Sequence, residues 1–208
     1  MTTEPIVYIV DDSADVRSSL PWLVESVGIK AQAFASAEHF LAACRPDQPG
    51  CLVLDLRMPG MGGMQLLESL QGKGIHLPVI VFTGHGEVES AVRAMKAGAL
   101  DFVEKPFTQQ GLIEKIQKAL LEDRRRRDAR EERSRVARRM AQLTPRENEV
   151  LGLIFAGLRN RAIAKRLGIS EKTVEVHRAK IMEKMEAASL AELIRMVNSN
   201  YSQTKGIP

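Results

Sequence analysis

Only two cysteines, Cys44 and Cys51, occur among the 208 residues. They supply neither a disulfide framework nor a metal motif, so Cys51 reads as a core residue and Cys44 as a spectator. No stretch approaches the roughly 20 consecutive apolar residues of a membrane span. The opening Met1-Thr2-Thr3-Glu4-Pro5 lacks the basic-then-apolar pattern of a leader. These absences point to a reduced, cytoplasmic protein with no membrane association. Hydrophobic residues make up 44%, enough for a packed core, and the length sets one or two domains.

The net charge of +4 divides unevenly. Residues 1–122 hold 10 Lys/Arg against 15 Asp/Glu, a balance of −5, and residues 123–208 hold 20 against 11, a balance of +9. An acidic front and a basic back predict two functions, with nucleic acid as partner of the back.

In the front half, short β-rich runs alternate with helical stretches. Ile6–Val10 reads as a strand ending in Asp11-Asp12, and Ala14–Val27 as a helix closed by Gly28. Lys30–Phe34 is a second strand, and Ser36 caps a helix to Cys44. The apolar run Cys51-Leu52-Val53-Leu54 stops at Asp55, before a turn through Gly60, Gly62 and Gly63 and a helix from Met64. Pro78–Phe82 is a strand ending in Thr83, and Glu87–Ala97 a helix stopped by Gly98. Asp101-Phe102-Val103 is a short strand before Lys105-Pro106, and a long helix follows Phe107. This alternation predicts a parallel sheet covered on both faces. Pro21 falls inside the first helix, where an interior proline costs about 3 kcal/mol and predicts a kink or a local break.

The polar residues just past the strands, Asp11, Asp12, Asp55, Thr83 and Lys105, should converge at one sheet edge, where open α/β proteins do their chemistry. Three carboxylates there repel one another unless a cation sits among them. With no Cys or His beside them, their hard oxygens suit Mg²⁺. A free carboxylate beside such a metal is a phosphoryl-acceptor arrangement, with Lys105 and the Thr83 hydroxyl placed to bind phosphoryl oxygens. A structural salt bridge from Lys105 into an acidic pocket competes with this, and spacing alone does not separate the two.

Asp11-Asp12, Asp55 within Asp-Leu-Arg-Met-Pro-Gly, Thr83-Gly84, Ala97-Gly98-Ala99 and Lys105-Pro106-Phe107 fall in the order of a CheY-like receiver, which residues 1–122 resemble. The resemblance implies a doubly wound, flavodoxin-like five-stranded parallel sheet. It implies that Asp55 takes phosphate from a sensor histidine kinase. Asp12, Asp55 and the Arg57 carbonyl would ligate Mg²⁺, with Asp11 acting through water. Thr83 and Phe102 would switch together, and Lys105-Pro106 would be cis. It also implies that the first helix helps dock the kinase, where Pro21-Trp22 would tune partner choice.

Residues 123–142 hold no Gly or Pro, and nine arginines lie between 124 and 139. Pairs such as Glu122 with Arg126 and Glu131 with Arg135 support a solvated charged helix. A direct DNA contact is the second reading. The sevenfold spacing of Ala129, Val136 and Leu143 is too short a trace for a coiled coil.

Thr144-Pro145-Arg146-Glu147 is a helix start with a capping box. A helix to Gly157, a short one over Asn160–Leu167, the turn Gly168-Ile169-Ser170 and a third helix to Met185 make a helix-turn-helix. Val174, His177, Ile181 and Met185 predict the core face of the third helix, with His177 packed inside. Lys172, Glu175, Val176, Ala179 and Glu183 lie opposite. Arg159, Arg161, Lys165, Arg166, Arg178 and Lys180 can reach phosphates, Glu175 can accept from cytosine N4, and Val176 can touch a thymine methyl. Leu190, Leu193, Ile194 and Val197 form a stripe on a fourth helix.

Leu143-Thr144, Glu147, Val150-Leu151, Gly157-Leu158, Asn160, Ile163-Ala164, Ile169-Ser170, Thr173-Val174, His177, Ile181 and Lys184 resemble the LuxR-type helix-turn-helix. Glu175-Val176-His177-Arg178-Ala179 and Gly84-His85-Gly86 resemble the FixJ subgroup within the NarL/FixJ regulators. The resemblance implies an all-α four-helix domain over 143–208 that contacts double-stranded promoter DNA, with Asn160 and Thr173 joining the residues above. The last helix, through Leu190, Leu193, Ile194 and Val197, would be its dimer surface, spacing two recognition helices about one DNA turn apart. Glu175 stands where the family commonly has lysine, so affinity must lean on neighbouring bases. The whole chain is expected to be a response regulator, not an enzyme, that forms a homodimer on phosphorylation, with RNA polymerase a further partner. Its rivals are a Mg²⁺-dependent phosphohydrolase using Asp55, an RNA-binding antiterminator, and a transcription factor indifferent to phosphate.

Overall fold

A computed structural model describes residues 4–84 and 88–201. His85, Gly86 and Glu87, within or beside two of the sequence motifs, lie outside the described residues. The chain divides into two compact units between Arg126 and Arg127, and each is described by itself.

The first unit runs β1 (Ile6–Val10), α1 (Ala14–Ser26), β2 (Lys30–Phe34), α2 (Ala37–Ala43), β3 (Gly50–Asp55), α3 (Gly63–Gly72), β4 (Val79–Thr83), α4 (Val88–Lys96), β5 (Asp101–Glu104) and the first part of α5 (Gln109–Met140). The strands form one parallel sheet in the order β2-β1-β3-β4-β5. Side chains alternate across it. Tyr8, Val10, Leu52 and Leu54 enter one apolar layer with α2 and α3, while Val7, Ile9, Cys51 and Val53 enter the other with α1 and α5. The expected doubly wound sheet is therefore what forms, because each central strand carries apolar residues on both faces.

Helix α1 continues unbroken through Pro21. An interior proline costs about 3 kcal/mol. Leu20, Leu23 and Val24 are buried around it, and each such side chain is worth about 1.5–3 kcal/mol. The burial outweighs the lost hydrogen bond, so the expected local break does not occur.

The charged stretch is helical, as the tail of α5, but it is not wholly solvated. Asp123 is 3% exposed and accepts the Gly50 N–H at 2.9 Å. Val136 is fully buried with Leu143 in the core of the second unit, whereas Ala129 is exposed. The sevenfold spacing thus records packing against the unit's own core.

The second unit contains that tail, α6 (Pro145–Phe155), α7 (Asn160–Leu167), α8 (Glu171–Met185) and α9 (Leu190–Tyr201). Gly168, at φ 66°, makes the left-handed turn between α7 and α8 that a side chain would strain. Two sequence expectations need correction here. Leu193 and Val197 are each 1% exposed and packed in the core of their own unit, so they are not available as a dimer surface. Their spacing is what anchors α9. His177 is only half-buried, at the edge of the core; its Nδ1 is buried without a hydrogen-bond partner.

Candidate functional site

Parallel strands that all point one way deliver their C-terminal residues to one edge. Asp11 follows β1, Asp55 ends β3, Thr83 ends β4 and Lys105 follows β5. The carboxylates of Asp11, Asp12 and Asp55 present oxygens within 4.8 Å of one another. Asp11 and Asp55 are buried and Asp12 is exposed, so the cluster has one open side. Lys105 Nζ donates to Asp11 Oδ2 at 2.9 Å and to Asp55 Oδ1 at 3.0 Å. Its ammonium lies 5.2 Å from the Phe82 ring centroid, and Phe107 stacks on Phe82 at 5.0 Å. The Lys105-Pro106 peptide is cis.

Two neighbours fix the cluster from outside the expected set. Asp11 Oδ1 accepts the Ser13 N–H at 2.9 Å, and the Asp11 carbonyl accepts from Arg17 Nη1 at 3.0 Å. After Asp55 the chain must turn sharply. A Cβ on Gly63 would run into the Asp55 carbonyl, so only glycine lets α3 start against the strand end. Glu38 on α2 accepts the Met61 N–H at 3.1 Å and holds the loop that carries Arg57. The glycine was visible in the sequence, but the Glu38 bond spans 23 residues and no local pattern announces it.

The electrostatics favour a cation. Burial foremost pushes the Asp55 carboxyl above its ordinary value; Lys105 opposes this, and the charges of Asp11 and Asp12 add to it. Burial alone would lower the Lys105 ammonium, but its bonds to Asp11 and Asp55 outweigh that and leave it raised. Three carboxylates and one ammonium leave an excess of negative charge. A divalent ion on hard oxygens fits that donor set.

Thr83 is buried, and its hydroxyl donates to the Val103 carbonyl at 3.5 Å. Phe102 is 43% exposed. The cluster of Asp11, Asp12, Asp55 and Lys105 is thus brought together, and Thr83 closes the edge beside it.

In the second unit, Thr144 and Glu147 form the capping box of α6. Glu147 also accepts from Lys184 Nζ on α8 at 2.6 Å. The Lys184 hydrogen bond foremost, with the Thr144 N–H, pulls the Glu147 carboxyl down to about 2. This ion pair braces α8 against α6. On α8, Lys172, Thr173, Glu175, Val176, Ala179 and Lys180 are exposed, and Arg178 is half-buried. Arg159 and Arg161 are exposed and Asn160 is half-buried at the start of α7. Leu190 and Ile194 line an open cleft of about 560 Å³ with Leu158 and Arg161.

Comparison with known proteins agrees with both units. Residues 7–117 match the response regulator receiver domain, and residues 141–197 match the bacterial regulatory proteins of the luxR family. Transcriptional regulatory protein FixJ of Azorhizobium caulinodans is 49% identical over 193 residues, covering 91% of this chain and 90% of that one. Nodulation protein W of Bradyrhizobium diazoefficiens is 43% identical over 206 residues, covering 99% and 88%. The solved structure of the response regulator StyR superposes with a TM-score of 0.84 at 44% identity, covering 94% of this chain and 99% of that one.

Proposed function

The chain belongs to the two-component response regulators of the FixJ kind, a receiver joined to a LuxR-type DNA-binding domain, and from that premise we propose that Asp55 is its phosphoacceptor and a sensor histidine kinase its donor. The observation that carries this is the convergence of three carboxylates within 4.8 Å beside Lys105. An Asp55 oxygen attacks phosphorus, the P–N bond of the kinase phosphohistidine breaks, and its electron pair returns to the imidazole. Asp11, Asp12 and Asp55, with the Arg57 carbonyl, would hold Mg²⁺, which when bound offsets the charge on the phosphoryl oxygens.

Phosphorylation turns the Asp55 carboxylate into an acyl phosphate and moves the charge that Lys105 now pairs with onto the phosphoryl group, so its ammonium turns to a phosphoryl oxygen. The Thr83 hydroxyl leaves the Val103 carbonyl for another, and Phe102 moves into the vacated space. Hydrogen bonds to charged groups are worth about 1.5–3 kcal/mol each. Both bonds replace existing ones, so only their excess over the Asp55 and Val103 contacts biases the two packings. The repacked face of α4, β5 and α5 then pairs two receivers.

In the DNA-binding domain α8 enters the major groove. Glu175 and Val176 read base edges, and Arg159, Asn160, Arg161, Lys172, Thr173, Arg178, Ala179 and Lys180 contact or approach phosphates. Exposed Leu190 and half-buried Ile194, the more accessible half of the α9 stripe, are the proposed dimer contacts, and bound RNA polymerase is a further partner. We read the protein as cytoplasmic; no helix among the described residues is long and apolar enough to cross a membrane. The receiver catalyses nothing beyond its own phosphorylation and dephosphorylation.

The test is Asp55→Asn in the full chain, treated with acetyl phosphate and Mg²⁺. Intact mass should show no phosphoryl group, and footprinting should show no phosphate-induced operator protection. Undiminished induction of DNA binding would reject the assignment.

A further inference from the structure

The outward Phe102 ring needs a cause. Burying a phenyl ring is favourable, yet Phe102 is 43% exposed at the surface of β5. There it lines a cleft of about 370 Å³ with Ala91, Val92, Met95 and Lys96. Two contacts hold it. Lys115 Nζ on α5 lies 5.9 Å from the ring centroid. The same ammonium donates to Asp101 Oδ1 at 2.7 Å, and that oxygen accepts the Phe102 N–H at 2.8 Å. Asp101 therefore pins both the cation and the backbone of the ring it covers. Burial would raise the Asp101 carboxyl, but its bonds from Lys115 and the Phe102 N–H outweigh that and lower it, so it stays charged.

We propose that Lys115 is a positioning residue of the switch: anchored on Asp101, it holds the Phe102 ring at the surface and so sets how readily an unphosphorylated receiver visits the active packing. This rests on the switch described under Proposed function and adds the group that biases it. An ammonium over an exposed ring shifts a two-state ratio about two- to fivefold. Lys118 Nζ, 4.0 Å from Asp101 Oδ2, keeps that carboxylate compensated when Lys115 is changed. Asp101 then loses its Lys115 bond but keeps a counter-charge and its bond from the Phe102 N–H, while the ring loses its cation.

The experiment uses the full chain labelled on phenylalanine rings. Wild type, Lys115→Gln and Lys115→Arg are compared by NMR, without and with beryllofluoride, and by initial rate of phosphorylation from acetyl phosphate. Lys115→Gln should raise the inward ring population and the rate two- to fivefold, and Lys115→Arg should keep both at the wild-type level. In a Phe102→Ala background, Lys115→Gln should no longer change the rate. If beryllofluoride draws the ring inward while Lys115→Gln leaves population and rate unchanged, Lys115 has no such role. Equal effects of the Gln and Arg variants also overturn it, because lost stem packing would then be the cause. A ring that beryllofluoride moves in none of the proteins overturns the switch itself, and this inference with it.

Discussion

The Asp123 carboxylate accepts the Gly50 N–H at 2.9 Å across 73 residues of sequence. It ties α5 to the first residue of the strand whose last residue is Asp55. A Cβ on Gly50 would strike the Ile6 carbonyl, so the strand begins wedged between β1 and this carboxylate. Asp123→Ala leaves a buried donor without a partner, at a cost of about 1–3 kcal/mol. Urea unfolding of the receiver should show that loss. Asp123→Asn, which keeps an acceptor oxygen, should cost less; equal losses would assign the effect to packing.

The same carboxylate acts on Cys51. Burial, and secondarily the charge of Asp123, pushes its thiol up to about 12. Native protein treated with iodoacetamide should carry label on half-exposed Cys44 before Cys51. Peptide mass spectrometry gives the order, and early label on Cys51 would contradict its burial.

Gly63 presses α3 onto the carbonyl of Asp55, the proposed phosphoacceptor. Gly63→Ala has nowhere to place its methyl, and overpacking of this kind costs about 1–3 kcal/mol. Phosphorylation from acetyl phosphate should slow along with the loss of stability. Gly72→Ala, in open space at the other end of the same helix, should leave the rate unchanged.

Glu147 gives the DNA-binding unit a specific acid response. Its folded carboxyl sits at about 2 against an ordinary 4.5. A depressed carboxyl contributes stability that is full above its unfolded value and is lost as pH falls through the folded one. That contribution should therefore decline from about pH 4.5 and be gone near pH 2. Glu147→Gln should be less stable than wild type at neutral pH, and the gap should close over that window. A constant gap would place the ion pair's effect elsewhere.

The two halves of the α9 stripe should behave differently. Leu193→Ala empties a core position and should cost about 2–5 kcal/mol in the DNA-binding unit. Leu190→Ala should leave thermal stability near wild type and weaken operator binding through lost pairing. A reversed pattern in thermal melts and footprints would restore the whole stripe as a dimer surface.

Much of this was legible beforehand because the signals are local. The continuous apolar runs of β1 and β3, which stop at Asp11 and Asp55, and the Thr144 capping box each fit inside a few residues. The glycines at 63 and 168 mark turns that only they permit. What the sequence hid is long-range. Nothing near Asp123 names Gly50, and 14 residues separate Lys115 from Asp101. The spacing of Leu193 and Val197 says that one face of α9 is buried, but not against what. A Pro21 break was expected because propensity was weighed without the core that Leu20, Leu23 and Val24 occupy.

Helix α1 continues past Pro21 and presents Trp22 to solvent, 71% exposed. It is the sole tryptophan of the chain. Its fluorescence is therefore a native, single-site reporter on the outer surface of that helix. A protein docking there would shift the emission of this one indole to the blue, with no dye attached.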